Sequence, residues 1–178
     1  AAAAQSPEAM TALIGPFQEG FAAWRRVAPV VVAAVQGHAI GAGFQLALAA
    51  DLRIVADDVK FAMREVSLGM IPDLAGTRPL VAAVGYSRAM ELCATGRFVG
   101  AEEAVRIGLA TVAVPADELA ATTSDLVAAL LGTPPAALRA LKPLLDRAAG
   151  ATLDEQLVHE RVAQGHLLHG MARAAGLS

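Results

Sequence analysis

Apolar and polar positions alternate along this chain in a way that separates a strand-bearing stretch from a helical remainder. Pro29-Val30-Val31-Val32-Ala33-Ala34-Val35 is apolar without alternation and rich in β-branched residues, which predicts a strand covered on both faces. Residues 37–43 read as a turn and 44–50 as a helix, while 52–56 and 60–63 predict two further strands. From Gly76 onward the spacing becomes helical. Short helices are expected over 77–84, 87–94 and 101–107, punctuated by Gly85, Gly96 and Gly108. A small strand over 111–115 is followed by longer helices over 116–131, 134–149 and 153–175. Upstream, Ser6-Pro7-Glu8 joins a capping hydroxyl, a first-turn proline and an early acid, so a helix should run from there to about Val27, with Gly15-Pro16 as the place for a break. Its Met10, Leu13, Phe17, Phe21 and Trp24 read first as core packing and second as a pocket wall. Strand, helix, strand and then helices make an α/β class, with no repeat or linker dividing it.

Composition narrows the choice of partners. Hydrophobic residues make up 56% of the chain, which excludes a disordered protein and exceeds what one soluble domain ordinarily needs, so some apolar surface is expected between subunits. The net charge is −3, from 14 basic and 17 acidic residues with no basic run, which argues against nucleic acid. No segment approaches the roughly 20 apolar residues of a membrane span, and the richest run ends at Gln36-Gly37. No membrane partner is expected. One cysteine, Cys93 between Leu92 and Ala94, rules out an internal disulfide framework, fits a reducing, cytoplasmic setting and reads as a packed thiol. Four alanines and no methionine open the chain, so further native sequence is expected upstream.

Three features between Gly37 and Gly76 could carry chemistry. Gly41-Ala42-Gly43 stands at a helix start, where free N–H groups and the helix dipole attract a phosphate or a developing oxyanion. A tight strand-to-helix turn explains the same glycines, and a dinucleotide fingerprint does not fit because the third glycine is missing. Arg64-Glu65 follows a short strand, and Ile71-Pro72-Asp73-Leu74-Ala75-Gly76-Thr77 is a turn feeding a helix. Taken singly, Glu65 is a surface charge and Asp73 a helix cap.

Taken together, these segments resemble the enoyl-CoA hydratase/isomerase (crotonase) family. The resemblance rests on residues 29–43, on Asp51-Leu52-Arg53-Ile54-Val55-Ala56, and on Phe61 with Glu65. It continues through Gly69-Met70-Ile71-Pro72, Gly76-Thr77, Thr95-Gly96-Arg97 and Gly108-Leu109-Ala110. It implies a crotonase-like spiral of ββα units over residues 1–115, lacking the N-terminal part of the family domain, and a helical C-terminal trimerisation region over 116–178. It also implies an acyl-CoA thioester as substrate, coenzyme A being part of that substrate with no separate cofactor or metal, and assembly as a homotrimer or a hexamer of two trimers. Ala42 aligns with one backbone donor of the family's oxyanion hole; the other donor aligns upstream of this chain. Glu65 aligns with a catalytic carboxylate, and His38, Gly41, Gln45, Arg64, Leu68 and Leu74 with positions that meet substrate.

The resemblance also separates reactions. Hydratases of the family present two glutamates to one water, and the first aligns with Gln45, whose amide can orient water but cannot exchange a proton near neutral pH. A single carboxylate suits a double-bond shift. Asp73, eight residues after Glu65, resembles the second acid of dienoyl-CoA isomerases, so Glu65 is expected as principal base with Asp73 assisting. Hydration is the alternative, and an acyl-CoA-binding homologue with little catalysis is a second. His166 and His169 lie one turn apart with no acid to complete a metal set, and Arg139, Lys142 and Arg147 share a helix that could meet phosphates or simply be solvated.

Overall fold

A computed structural model describes residues 6–176 as two compact units, one comprising residues 6–27 with Val31–Leu126, the other Ala28–Val30 with residues 127–176. In the first unit, strands β1 (Val32–Val35), β3 (Leu52–Ala56) and β6 (Val112–Val114) form one parallel sheet in the order β1-β3-β6. A second sheet has β2 (His38–Ile40), β4 (Lys60–Ala62) and β5 (Val99–Gly100) in that order, β2 parallel and β5 antiparallel to β4. Each turn of chain therefore gives one strand to each sheet and then a helix: β1-β2-α2 (Ala42–Ala49), then β3-β4-α3 (Thr77–Val84). This is the expected spiral. Helix α1 (Pro7–Arg26) lies against α2, and α4 (Tyr86–Thr95), α5 (Ala101–Arg106) and α6 (Leu119–Leu131) follow.

Burial follows the pleat. Ala39, Phe61 and Val99 turn to the inner face of the second sheet, where the rings of Phe61 and Phe44 sit 4.9 Å apart and Leu48, Leu80, Leu92 and Leu109 close the core. A smaller cluster joins Ile54 and Ala56 to Leu119, with Leu126 packed against it, so the start of α6 belongs to this unit. β3 is the strand with nothing but buried residues from Ile54 to Ala56. β1, expected to be covered on both faces, is half-buried with Ala34 exposed, because it is the edge of its sheet.

Arg53 fixes the far end of α2. Its Nε donates to Leu109 O at 2.6 Å and its Nη1 to Ala50 O at 2.7 Å and Ala47 O at 3.4 Å, filling carbonyls that a helix C-terminus leaves open. Asp51 pins the same corner to the segment before β1 through Val31 N–H, at 2.8 Å from Oδ2.

Several expectations change. Residues 38–40 are a strand rather than part of a turn, and β5 and a 3-10 turn over Val66–Leu68 were not anticipated. α1 runs through Gly15-Pro16 without a break, at the loss of one backbone hydrogen bond. It buries no residue; Met10, Leu13, Phe17 and Trp24 are exposed, which corrects their reading as core.

The second unit holds α7 (Pro135–Ala148) and α8 (Leu153–Ala174). Thr152 and Glu155 form a reciprocal capping box at the start of α8. Gln156 Nε2 reaches Leu144 O at 3.4 Å, and Lys142 Nζ donates to Pro29 O at 2.9 Å. An apolar cleft of about 730 Å³ opens between the helices, lined by Leu138, Leu141, Leu144, Leu167 and Leu168 among others. No helix among the described residues is long and apolar enough to cross a membrane.

Candidate active site

Parallel pairing of β2 with β4 brings two chain turns side by side. Ile40 lies opposite Ala62, so Gly41 follows one strand where Met63 follows the other, and Gly41 N–H donates to Ala62 O at 2.9 Å. Gly41 caps α2 at φ 54°, a left-handed conformation that glycine adopts without strain. Ala42, Gly43 and Phe44 then offer first-turn N–H groups that have no carbonyl one turn earlier in the helix, and Ala42 and Gly43 are exposed. Three residues past the end of β4, Glu65 caps the 3-10 turn and folds its carboxylate back under Gly41. A Cβ on Gly41 would stand 3.2 Å from Glu65 Oε1. Donor turn and carboxylate converge.

Glu65 is 9% exposed. Its Oε1 accepts from Gln45 Nε2 at 2.8 Å, and its Oε2 has no hydrogen-bond partner among the described residues. Gln45, one turn into α2 and 1% exposed, accepts on Oε1 from Leu74 N–H at 2.8 Å and Gly76 N–H at 3.2 Å. The resemblance placed Gln45 against substrate; the structure commits its amide to protein partners. Gly76 has to be glycine here, since a Cβ would fall 2.6 Å from Gln45 Cγ. Ala75, between the two donors, takes φ 64°, an uncommon value for a residue with a side chain. Asp73 is half-buried next to Leu74, with its carbonyl accepting from Gln18 Nε2 at 2.7 Å. It does not cap α3, whose N-cap is Gly76 without a side-chain bond.

His38 and Arg64 form a separate group. Both are exposed and both address Phe98: the His38 ring meets it edge-on at 6.3 Å, and the Arg64 guanidinium lies 5.9 Å from its centroid. Arg64 Nη1 also reaches Gly96 O at 3.4 Å. Phe98 carried no sequence signal, because its role depends on β5 lying next to β4. Leu68 is exposed on the 3-10 turn. One residue past Glu65, Val66 begins an apolar cleft of about 330 Å³ whose wall includes Ile71, Leu80, Tyr86, Met90 and Cys93. Burial pushes the Cys93 thiol pKa up, and the nearby Glu65 charge adds to it. Among the described residues, no three His, Cys, Asp or Glu side chains gather as a metal set.

Chains of known kind resemble this one in sequence and fold. A sequence model described as enoyl-CoA hydratase/isomerase matches residues 1–178. A Mycobacterium leprae protein designated an enoyl-CoA hydratase is 39% identical over 144 residues, covering 79% of this chain and 56% of its own length. The carnitinyl-CoA dehydratase of Escherichia coli is 36% identical over 170 residues, 94% of this chain and 64% of its own. A Thermobifida fusca protein designated an enoyl-CoA hydratase, solved in complex with CoA, superposes with a TM-score of 0.91 at 48% identity, over 95% of this chain and 66% of that one. This chain thus spans between half and two thirds of the length of these relatives. Profile, relatives and fold agree, and the chain belongs to the enoyl-CoA hydratase/isomerase family.

Proposed function

We propose that the protein acts on acyl-CoA thioesters and shifts a double bond by moving a proton beside the thioester carbonyl. Glu65 breaks the C2–H bond of a 3-enoyl-CoA, and the electron pair passes to the thioester oxygen. The N–H of Ala42, at the positive end of α2, holds that oxygen while it carries enolate charge. Glu65 then delivers the proton to C4, and the double bond settles between C2 and C3. Asp73 assists from the loop that Leu74 ties to Gln45, and the apolar cleft beyond Val66 takes the acyl chain. His38, Arg64 and Leu68 are assigned to the rim of the substrate site. Coenzyme A enters as part of the substrate, with no other cofactor. The carrying observation is the approach of Gly41 to Glu65 Oε1, with Oε2 left without a hydrogen-bond partner among the described residues.

The relatives' designations favour a second reading, hydration of a 2-enoyl-CoA. Against it stands Gln45, an amide where two acids would share a water. Replacing Glu65 with Gln should lower turnover of 3-enoyl-CoA by at least about a hundredfold, the usual scale of a lost acid/base. An undiminished rate ends the assignment. Rapid hydration of crotonyl-CoA that survives Asp73→Asn selects the second reading. Binding with no change in ultraviolet absorbance for any enoyl-CoA points to a carrier instead. We place the protein in the cytoplasm, on its one free cysteine, and as a trimer or a hexamer, on the apolar faces of α7 and α8.

A further inference from the structure

Gln45 lies deep in the protein, and its hydrogen bonds have a fixed sense. Leu74 N–H and Gly76 N–H can only donate, so the amide oxygen must face them, at 2.8 and 3.2 Å. The NH₂ group is thereby turned toward Glu65 and donates to Oε1 at 2.8 Å. A flipped amide would set an oxygen against a carboxylate and an NH₂ against two backbone donors. Only one orientation is compatible with its surroundings.

We infer that Gln45 is a positioning residue that commits Glu65 Oε1 as a fixed acceptor and leaves Oε2 as the oxygen that carries the migrating proton. The inference rests on the acid/base reading of Glu65 and says which of its atoms acts and what selects it. Donation to Oε1 at 2.8 Å occupies one carboxylate oxygen with a protein partner. It also stops the carboxyl group from rotating, and Oε2, buried and without a hydrogen-bond partner among the described residues, is the oxygen assigned to the reacting carbons in both halves of the transfer. The backbone is shaped around this one side chain. Gly76 leaves room for Gln45 Cγ, and Ala75 holds a left-handed turn that presents its neighbours' N–H groups to the amide.

The test is a pH profile of kcat for 3-enoyl-CoA isomerisation by the full chain and its Gln45→Glu variant. A glutamate keeps the bonds from Leu74 and Gly76 but faces Glu65 across the same short gap, where two carboxylates cannot both ionise. The acid limb should move up by at least one pH unit with KM within threefold of wild type; an unmoved limb in a folded variant overturns the inference. Gln45→Asn, one methylene shorter, withdraws the NH₂ from Glu65. Its kcat should fall at least tenfold with KM little changed, and a kcat within twofold of wild type also overturns the inference. Should Gln45→Glu fail to fold, Gln45→Asn decides alone. Glu65→Gln separates the two claims. Loss of turnover there with an unmoved Gln45→Glu limb sinks the role of Gln45 only, whereas full turnover sinks the base and the positioning role together.

Discussion

At the scale of single residues, the site is a small set of atoms whose neighbours leave them few options. Cys93 gives a readout of Glu65 that does not depend on turnover. Burial is the larger cause of its raised pKa and the Glu65 charge the second. Its thiol therefore stays protonated in the folded chain at a pH where the unfolded chain has begun to ionise. The resulting stability is complete below the ordinary thiol pKa of about 8.5 and is lost as pH climbs through the higher folded value. Melting temperature should fall more steeply above about pH 8.5 in the wild type than in Cys93→Ala, as followed by circular dichroism. In Glu65→Gln the missing charge should make Cys93 more acidic, and iodoacetamide should label it faster at a fixed pH. The sequence identified Glu65, Ala42 and Gln45 through resemblance, because residue type and order are enough for that. It could not show that Gln45 is enclosed, since its partners are backbone N–H groups of a loop 29 and 31 positions away.

At the scale of elements, α2 is held at both ends. Its start carries the proposed oxyanion donor, and Arg53 secures its end. Burial pulls the Arg53 guanidinium pKa down, and its bonds to the carbonyls of Leu109 and Ala50 compensate the lost water. Arg53→Met should lower stability by about 2–3 kcal/mol in urea unfolding, the scale for hydrogen bonds to a charged group. It should also lower kcat more than it raises KM, because a loosened helix blurs the donor's position. The longer elements were legible in the chain for a plain reason. Helices such as 77–84 and 86–95 fill two turns or more with a repeating pattern and end at glycines. β2 and β5 have three and two residues, too few for a period, and the glycines around β2 read as a turn. The tie between α4 and α5 was hidden as well. There Arg97 bonds Glu91 at 2.6 Å and Glu103 at 2.8 Å, keeping both carboxyls below their usual range.

At the scale of the whole molecule, the apolar content has only partly been used. α7 and α8 contain no buried residue, and Leu145, Leu153 and Met171 are each more than 60% exposed. Patches of this kind mark surfaces that another chain covers. Equilibrium sedimentation should find a trimer or a hexamer, and Leu145→Glu with Leu157→Glu should shift it to the monomer. The excess of apolar residues was visible in composition alone. Which helices carry it was not, because an interface helix and a core helix show the same periodicity.

The pairing of β2 with β4 turns the stretch from Lys60 to Glu65 into a ruler. Registry with His38–Ile40 fixes where β4 ends, and the residues after it set how far the carboxylate travels back toward Gly41. A strand shifted by one position presents its side chains to the opposite face. One residue inserted between Met63 and Glu65, past the end of β4, would aim the acid away from the donor while leaving Phe61 and Met63 in the core. The same insertion at the exposed Asp57-Asp58 turn would disturb local bonds, Asp57 N–H to Val114 O at 2.8 Å and Gly37 N–H to Asp58 Oδ1 at 3.2 Å, and leave the reach of the carboxylate as it is. Length in this protein is constrained by chemistry in one short interval and by little else nearby.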